Sequence, residues 1–530
     1  MADTFISHPF VMPFVKPFVP KKLQPWIYFL FIIIFQMVNC VYLGSIEQMV
    51  GECGMMKEDV TMIVMCGVLG VTMPFPILFR LKFRFTNRSL LMFSISGMIL
   101  CNFLALWVRS IPLLCIFSYA CGYMKLMATF ECTSNIRLWM TPRRDFRIFF
   151  PLLYIVVLGD MSWSSWIAIQ LTYYCGSWMA MQWFVILLLT LVLLIIFFCT
   201  QHYRFMKPIP FISIDWLGCI LWSLFILEGI FIFNYGEFYN WWDGKVWCIV
   251  VISIPVTLWF AIHRMRHIRH PYILPSAFKH KTLVPILGMF AVAELMNSTP
   301  KALQTVFMGS ILHYGTMTTS RFDLINIVGA MTGCLFSLWW MKMVRLKYTT
   351  LLTIGFMFLL VYQVWMYFYI TPDLNIERLY FPTFIQNFGY AIFFVTLTIY
   401  LQDLMPYPNF FLGMTIAGFI RNGLVATMCN GVYSYMLRYY VTDNMVSGRP
   451  YDYIQSLMMG IKQMYGVTCV GGTFFLLLLM LWHVQPVRST LKHIPYCNVI
   501  GREMKEEMKH ENNFLLYVVK KNKFLLFCLR

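Results

Sequence analysis

Seven ionisable residues stand out well inside long apolar runs of this sequence: Lys125, Glu131, Asp160, Glu228, Glu294, Lys301 and Arg421. Such a group costs about 3 kcal/mol at the centre of a membrane helix on insertion scales, so it normally faces a cavity, a partner charge or a proton path. The chemistry these side chains can do is charge and proton handling. A carboxylate in a low-dielectric site has its charged form disfavoured and can take up and release a proton near neutral pH. Asp160 and Glu294 are the first candidates for that role and Glu131 the third, with Lys125, Lys301 and Arg421 as cationic partners or substrate contacts. The competing reading is a set of fixed interhelical ion pairs. Gln36, Asn39 and Gln304, together with Asn102, Gln170, Gln386, Asn387 and Asn422, serve either cavity recognition or interhelical hydrogen bonds.

Depth along the helices separates the charges. At 1.5 Å per residue, Asp160, Glu294 and Arg421 lie about 17–20 Å from one end of their runs, near mid-membrane. Glu131 and Lys301 lie nearer opposite ends, where snorkelling competes with function. Lys125 and Glu131 are six residues apart and point about 240° away from each other, so the expected partner of Lys125 is Asp160 on the next run. Glu294 and Lys301 share a helix face but stand about 10 Å apart along it, too far for a direct pair.

The elements that carry these residues are membrane spans. Of 530 residues, 60% are hydrophobic and 12% charged, far from the quarter charged of a soluble domain, which excludes a soluble enzyme. Fourteen apolar runs are long enough for a ~30 Å hydrocarbon layer: 24–44, 58–79, 90–108, 111–136, 147–174, 178–199, 213–236, 246–264, 283–312, 322–343, 349–370, 379–403, 408–437 and 463–484. With the N-terminus inside, thirty of the 41 Lys and Arg residues fall in inside segments, eight in outside loops and three within spans. That asymmetry satisfies the positive-inside rule and places both termini in the cytoplasm. It also accounts for the net charge of +18 without nucleic acid. Residues 1–23 are Pro-rich and lead directly into a full-length span, which reads as an uncleaved insertion signal.

No metal or cofactor site is expected. The 16 Cys lie mostly within spans and form no CxxC pair, so they read as small apolar residues. His263, His267, His270 and His280 crowd one basic inside loop, which a surface of anionic lipid explains. They form no constellation for a membrane-embedded acyltransferase. The tail 485–530 holds a charged helical stretch, Arg502 to Lys509, and two apolar pieces too short to span.

The spacing of particular motifs adds a family. Asp215-Trp216-Leu217-Gly218 opens the seventh run, Gly236 ends it and Trp241-Trp242 precede the eighth; Pro271-Tyr272-Ile273-Leu274, with Phe278 and Lys279, leads into the ninth; Gln304 stands in Leu303-Gln304-Thr305-Val306-Phe307. This arrangement, with fourteen spans, resembles the EmrB/QacA-type drug:proton antiporter branch of the major facilitator superfamily. The resemblance implies an all-α polytopic membrane protein of the major facilitator fold: a six-helix half at 24–200, two inserted helices at 213–264 and a second six-helix half at 283–484, between a cytoplasmic segment 1–23 and a cytoplasmic tail 485–530. It makes the ninth run core helix seven and the thirteenth core helix eleven. Six of the seven charges then fall on cavity-lining helices, Glu228 alone on the insert.

The departures are specific. The loop after the second run reads Phe79-Arg80-Leu81-Lys82-Phe83-Arg84-Phe85, without the family's Asp and glycines. Ser118 stands where the family has an Arg four residues before Gly122. Residues Ser165 to Gln170 stand where its antiporters carry G-P-x-x-G-G. By resemblance the function is proton-coupled efflux of small amphipathic substrates by alternating access. The expected setting is a bacterial inner membrane, with membrane lipid, a periplasmic adaptor and an outer-membrane channel as partners. The missing G-P-x-x-G-G motif keeps an importer or symporter open, and the eroded motifs keep a non-transporting receptor or scaffold open.

Overall fold

The computed structural model describes residues 15–20, 22–38, 46–140, 146–203, 214–241, 244–268, 270–275, 278, 283–343, 348–405, 407–445 and 450–484. The expectations for Asn39, Lys279, His280, the first fourteen residues and the tail after 484 therefore lie outside the described residues. The described residues up to Leu479 form one compact unit.

Within the described residues each apolar run is helical, the first from Gln24 to Met37. The first half comprises α1 (Gln24–Met37), α2 (Lys57–Arg84), α3 (Asn87–Trp107), α4 (Ile111–Met140), α5 (Phe146–Cys175) and α6 (Met179–Cys199). Two helices follow, α7 (Trp216–Tyr235) and α8 (Lys245–His267). The second half comprises α9 (Leu283–Ile311), α10 (Arg321–Met343), α11 (Tyr348–Tyr369), α12 (Tyr380–Leu404), α13 (Phe410–Asp443) and α14 (Pro450–Val484). Thirteen of the fourteen are long and apolar enough to cross a membrane, and α1 is an apolar helix of 14 residues. Interruptions fall where the backbone chemistry demands them. Pro74 and Pro76 lack an N–H and turn the middle of α2 into a short 3-10 segment at Phe75–Ile77. Pro300 opens a π-helical stretch, Pro300–Gln304, within α9; a second, Phe307–Ile311, ends that helix, and a third, Phe419–Val425, lies in α13.

The helix contacts repeat with a shift of eight. In the first half α4 is the hub, packing on α1, α2 and α3, while α1 also packs on α5; in the second half α12 packs on α9, α10 and α11, and α9 on α13. Close approach at both hubs requires glycine. A Cβ on Gly122 of α4 would stand 2.1 Å from the Gly67 carbonyl of α2, and one on Gly389 of α12 would stand 2.8 Å from the Gly355 carbonyl of α11. The contacts between halves obey the same repeat: α5 packs on α10, and α2 on α13.

The two inserted helices lie outside the main packing of both hubs. α7 packs on α2 and on α13, beside one seam between the halves. On the α2/α4 side hydrogen bonds hold it: Tyr119 to Ser223 at 2.8 Å, Asn234 to the Glu58 carbonyl at 2.7 Å, and Tyr235 to Asp59 at 2.5 Å. Its first turn is fixed by Asp215, whose carboxylate accepts the Gly218 N–H at 2.9 Å, Arg264 of α8 at 2.7 Å and the Tyr272 N–H at 3.1 Å. The Tyr272 hydroxyl in turn donates to the Met73 carbonyl at 2.7 Å, at the break in α2. Burial pushes that phenol well above its ordinary pKa, so it remains a donor. The D-W-L-G and P-Y-I-L stretches, whose Asp215 and Tyr272 are 57 residues apart, are thus two sides of one joint.

Candidate functional site

Glu294 lies midway along α9 and is 6% exposed. Its Oε1 accepts hydrogen bonds from the Tyr390 hydroxyl of α12 and from Nε of Arg421 in α13, the latter at 3.1 Å. Arg421 is carried by the π-helical stretch of α13, a local widening that is common at functional sites. Its guanidinium lies 4.2 Å from the centre of the Phe394 ring and 5.7 Å from that of Tyr390, which gives the cation two π faces as well as a carboxylate. Phe394 also meets Tyr154 of α5, with ring centres 4.9 Å apart, so the cluster reaches across the seam.

The first half carries a counterpart on the equivalent helices. Lys125 of α4 is buried, donates to the Gln36 carbonyl of α1 at 2.9 Å and attracts Asp160 of α5. Asp160 is 6% exposed, and its Oδ2 has no hydrogen-bond partner. Helices α1, α4 and α5 thus bring together a carbonyl, an ammonium and a carboxylate; α9, α12 and α13 bring together a carboxylate, a phenol and a guanidinium.

These pairs make charge state and helix position interdependent. Arg does not lose its proton in a protein. Arg421 is therefore a buried cation whose compensation rests on the Glu294 carboxylate, and loss of that carboxylate would be costly. In the first half the same logic links Asp160 to Lys125 and α1.

The remaining candidates separate by surroundings. Glu131 is fully buried, with Lys82 of α2 at 3.3 Å, so it does not snorkel; Lys82 also donates to Ser134. Lys301 is exposed on the first π stretch of α9. Gln304 is buried, donates to Thr383 at 3.2 Å and accepts from Tyr362 at 2.8 Å, so it braces α9 against α11 and α12. Glu228 accepts from Ser253 at 3.1 Å and Thr257 at 2.6 Å, both on α8, and ties the inserted pair together.

One acidic residue escaped the sequence reading. Asp323, in the first turn of α10, lies close to Ser165 of α5 and Asn326, and attracts Lys301. Around it Gln170 reaches Ser320 at 3.3 Å, Asn387 reaches Asn326 at 2.6 Å and Gln386 reaches Asn297 at 3.4 Å. This is a polar layer shared by α5, α9, α10 and α12. A carboxylate at the second position of an apolar run resembles an ordinary helix-start acid, which hid it.

At the other ends of these helices the halves meet through different chemistry. Arg147 of α5 pairs with Asp403 of α12 at 3.2 Å, and Tyr348 donates to the same carboxylate. Above that pair, ring contacts join Phe79 to Phe411 at 4.7 Å and Phe150 to Phe410 at 5.9 Å. The charged clusters therefore sit between an aromatic layer on the basic side and the Asp323 polar layer on the other.

No protein-family model matches the sequence, and no curated protein matches it. Solved structures do match in fold. The nucleoside transporter NupG superposes with a TM-score of 0.51 at 11% identity, covering 86% of this chain and 99% of its own. An auto-inhibited peptide transporter of the POT family superposes with a TM-score of 0.52 at 14% identity, covering 84% of this chain and 96% of its own. The chain is an all-helical, multi-pass membrane protein with the major facilitator fold, and the shift-of-eight repeat is its two-half architecture.

Proposed function

We propose that this chain is a proton-coupled secondary transporter moving small amphipathic molecules by alternating access between its two halves. The observation that carries the proposal is the buried Glu294–Arg421 pair joining α9 to α13, with its Asp160–Lys125 counterpart on α5 and α4. A proton arriving at Glu294 or Asp160 removes the attraction holding two helices in register, and a substrate entering the seam finds aromatic rings beside the released charge. In the export reading, which follows the EmrB/QacA resemblance, the basic face is cytoplasmic in a bacterial inner membrane. The substrate then leaves towards a periplasmic adaptor and an outer-membrane channel. The test is transport in proteoliposomes under an imposed proton gradient. Substrate-dependent proton flux that Glu294→Gln or Asp160→Asn abolishes supports the proposal, and unchanged flux in both variants contradicts it.

A second reading, import or symport, is favoured by one observation. Where the antiporters carry G-P-x-x-G-G, this chain has Ser165 to Gln170, and Gln170 hydrogen-bonds across the seam to Ser320, the residue before α10. Reversing the orientation of the gradient in the same vesicles separates the two directions.

A further inference from the structure

α8 is the least enclosed span, with 11% of its apolar stretch buried. Its outward face follows one helical row, Ile249, Ile252, Val256, Trp259, His263 and Arg266, with spacings of three and four residues. The first four are strongly exposed, at 65, 69, 51 and 59%, and His263, Arg266, His267 and His270 are exposed as well. Ile249 to Trp259 covers about 15 Å of helix, half of a ~30 Å hydrocarbon core. The row is therefore apolar for the depth of one leaflet and basic from the level of its headgroups onward, with a tryptophan at the boundary where such rings collect.

The basic end is ordered. Trp259, His263 and His267 stack in sequence along the helix, with ring centres 5.4 Å and then 4.1 Å apart. His267 Nδ1 stands 2.7 Å from the His263 carbonyl. Arg264 turns the other way, to Asp215, which leaves Arg266 as the outward cation of the last turn. Two imidazoles held 4.1 Å apart repel when both are protonated, and an anion beside them relieves that repulsion.

We infer that the outer face of α8 binds an anionic phospholipid, its acyl chain along Ile249–Val256 and its phosphate at His263, Arg266 and His267. The apolar row and the charge at its end together match an amphiphile rather than a soluble phosphate, and the charge selects an anionic headgroup over a zwitterionic one.

The test uses the full chain in detergent, with retained lipid counted by native mass spectrometry and thermal unfolding followed in parallel. Phosphatidylglycerol, phosphatidylcholine and glycerol-1-phosphate are the probes. The expected result is retention of phosphatidylglycerol over phosphatidylcholine, weakened at least about tenfold by His263→Gln/Arg266→Gln/His267→Gln and unchanged by Lys342→Gln. The substituted residues are exposed, so lipid-free unfolding of the triple variant should match that of the unaltered chain. Equal retention of both lipids, full retention by the triple variant, or equal protection by glycerol-1-phosphate would overturn the inference.

Discussion

Glu294 and Arg421 stand 127 residues apart in the chain, yet their side chains are 3.1 Å apart and both are largely buried. Removing one partner leaves the other charge without compensation. Glu294→Gln is expected to destabilise the folded protein by about 3–5 kcal/mol, whereas Glu294→Gln/Arg421→Gln should regain much of that loss. Thermal unfolding of the two variants in detergent measures it. A single-variant loss under about 1 kcal/mol, within the range of a surface pair, would mean that the pair is not a structural link between α9 and α13.

Lys125 and Asp160 should behave as a second coupled pair. Lys125→Met strands the Asp160 carboxylate and frees the Gln36 carbonyl, while Lys125→Met/Asp160→Asn relieves the first of these costs. A double-mutant cycle is expected to return a coupling energy of about 0.5–3 kcal/mol. Additive losses would place the two residues in independent sites.

The fourteen runs were legible because each is an uninterrupted stretch of hydrocarbon-like side chains, and hydrocarbon thickness fixes a minimum length. The intramembrane charges were legible for the same reason: a carboxylate or cation in such a stretch stands out against its neighbours. Their partners were not. Periodicity on one helix fixes a face but says nothing about which helix opposes it, so Arg421 could not be matched to Glu294, nor Lys82 to Glu131. Gln304 shows the converse limit, since a cavity amide and a core-bracing amide look the same until Thr383 and Tyr362 are in place. Asp215 and Tyr272 were noticed as motif residues, and the structure supplies their physical reason: a carboxylate collecting three donors at the start of α7.

That joint gives a third prediction. Asp215→Ala removes the cap of α7 and the anchors of Arg264 and Tyr272, an expected loss of about 2–4 kcal/mol. Tyr272→Phe removes only the bond to the Met73 carbonyl, an expected loss of about 1 kcal/mol. Unfolding temperatures in that order support the joint, and an Asp215→Ala variant as stable as Tyr272→Phe would contradict it.

Helix spacing gives a fourth. An added methyl at Gly122 would stand 2.1 Å from the backbone oxygen of Gly67, whereas one at Gly288 meets nothing within 4 Å. Gly122→Ala is expected to cost about 1–3 kcal/mol through separation of α2 and α4, with Gly288→Ala near neutral. Detergent-solubilised yield and unfolding temperature check both substitutions.

The most direct measurement is proton flux in proteoliposomes containing a pH-sensitive dye, with an imposed gradient and a panel of cationic, neutral and anionic amphiphiles. Asp160→Asn and Glu294→Gln are compared with the unaltered chain at equal reconstituted protein. The account predicts that at least one amphiphile discharges the gradient through the unaltered protein and that each substitution abolishes the discharge. Full discharge in both variants would contradict it, because neither buried carboxylate would then carry the coupled proton.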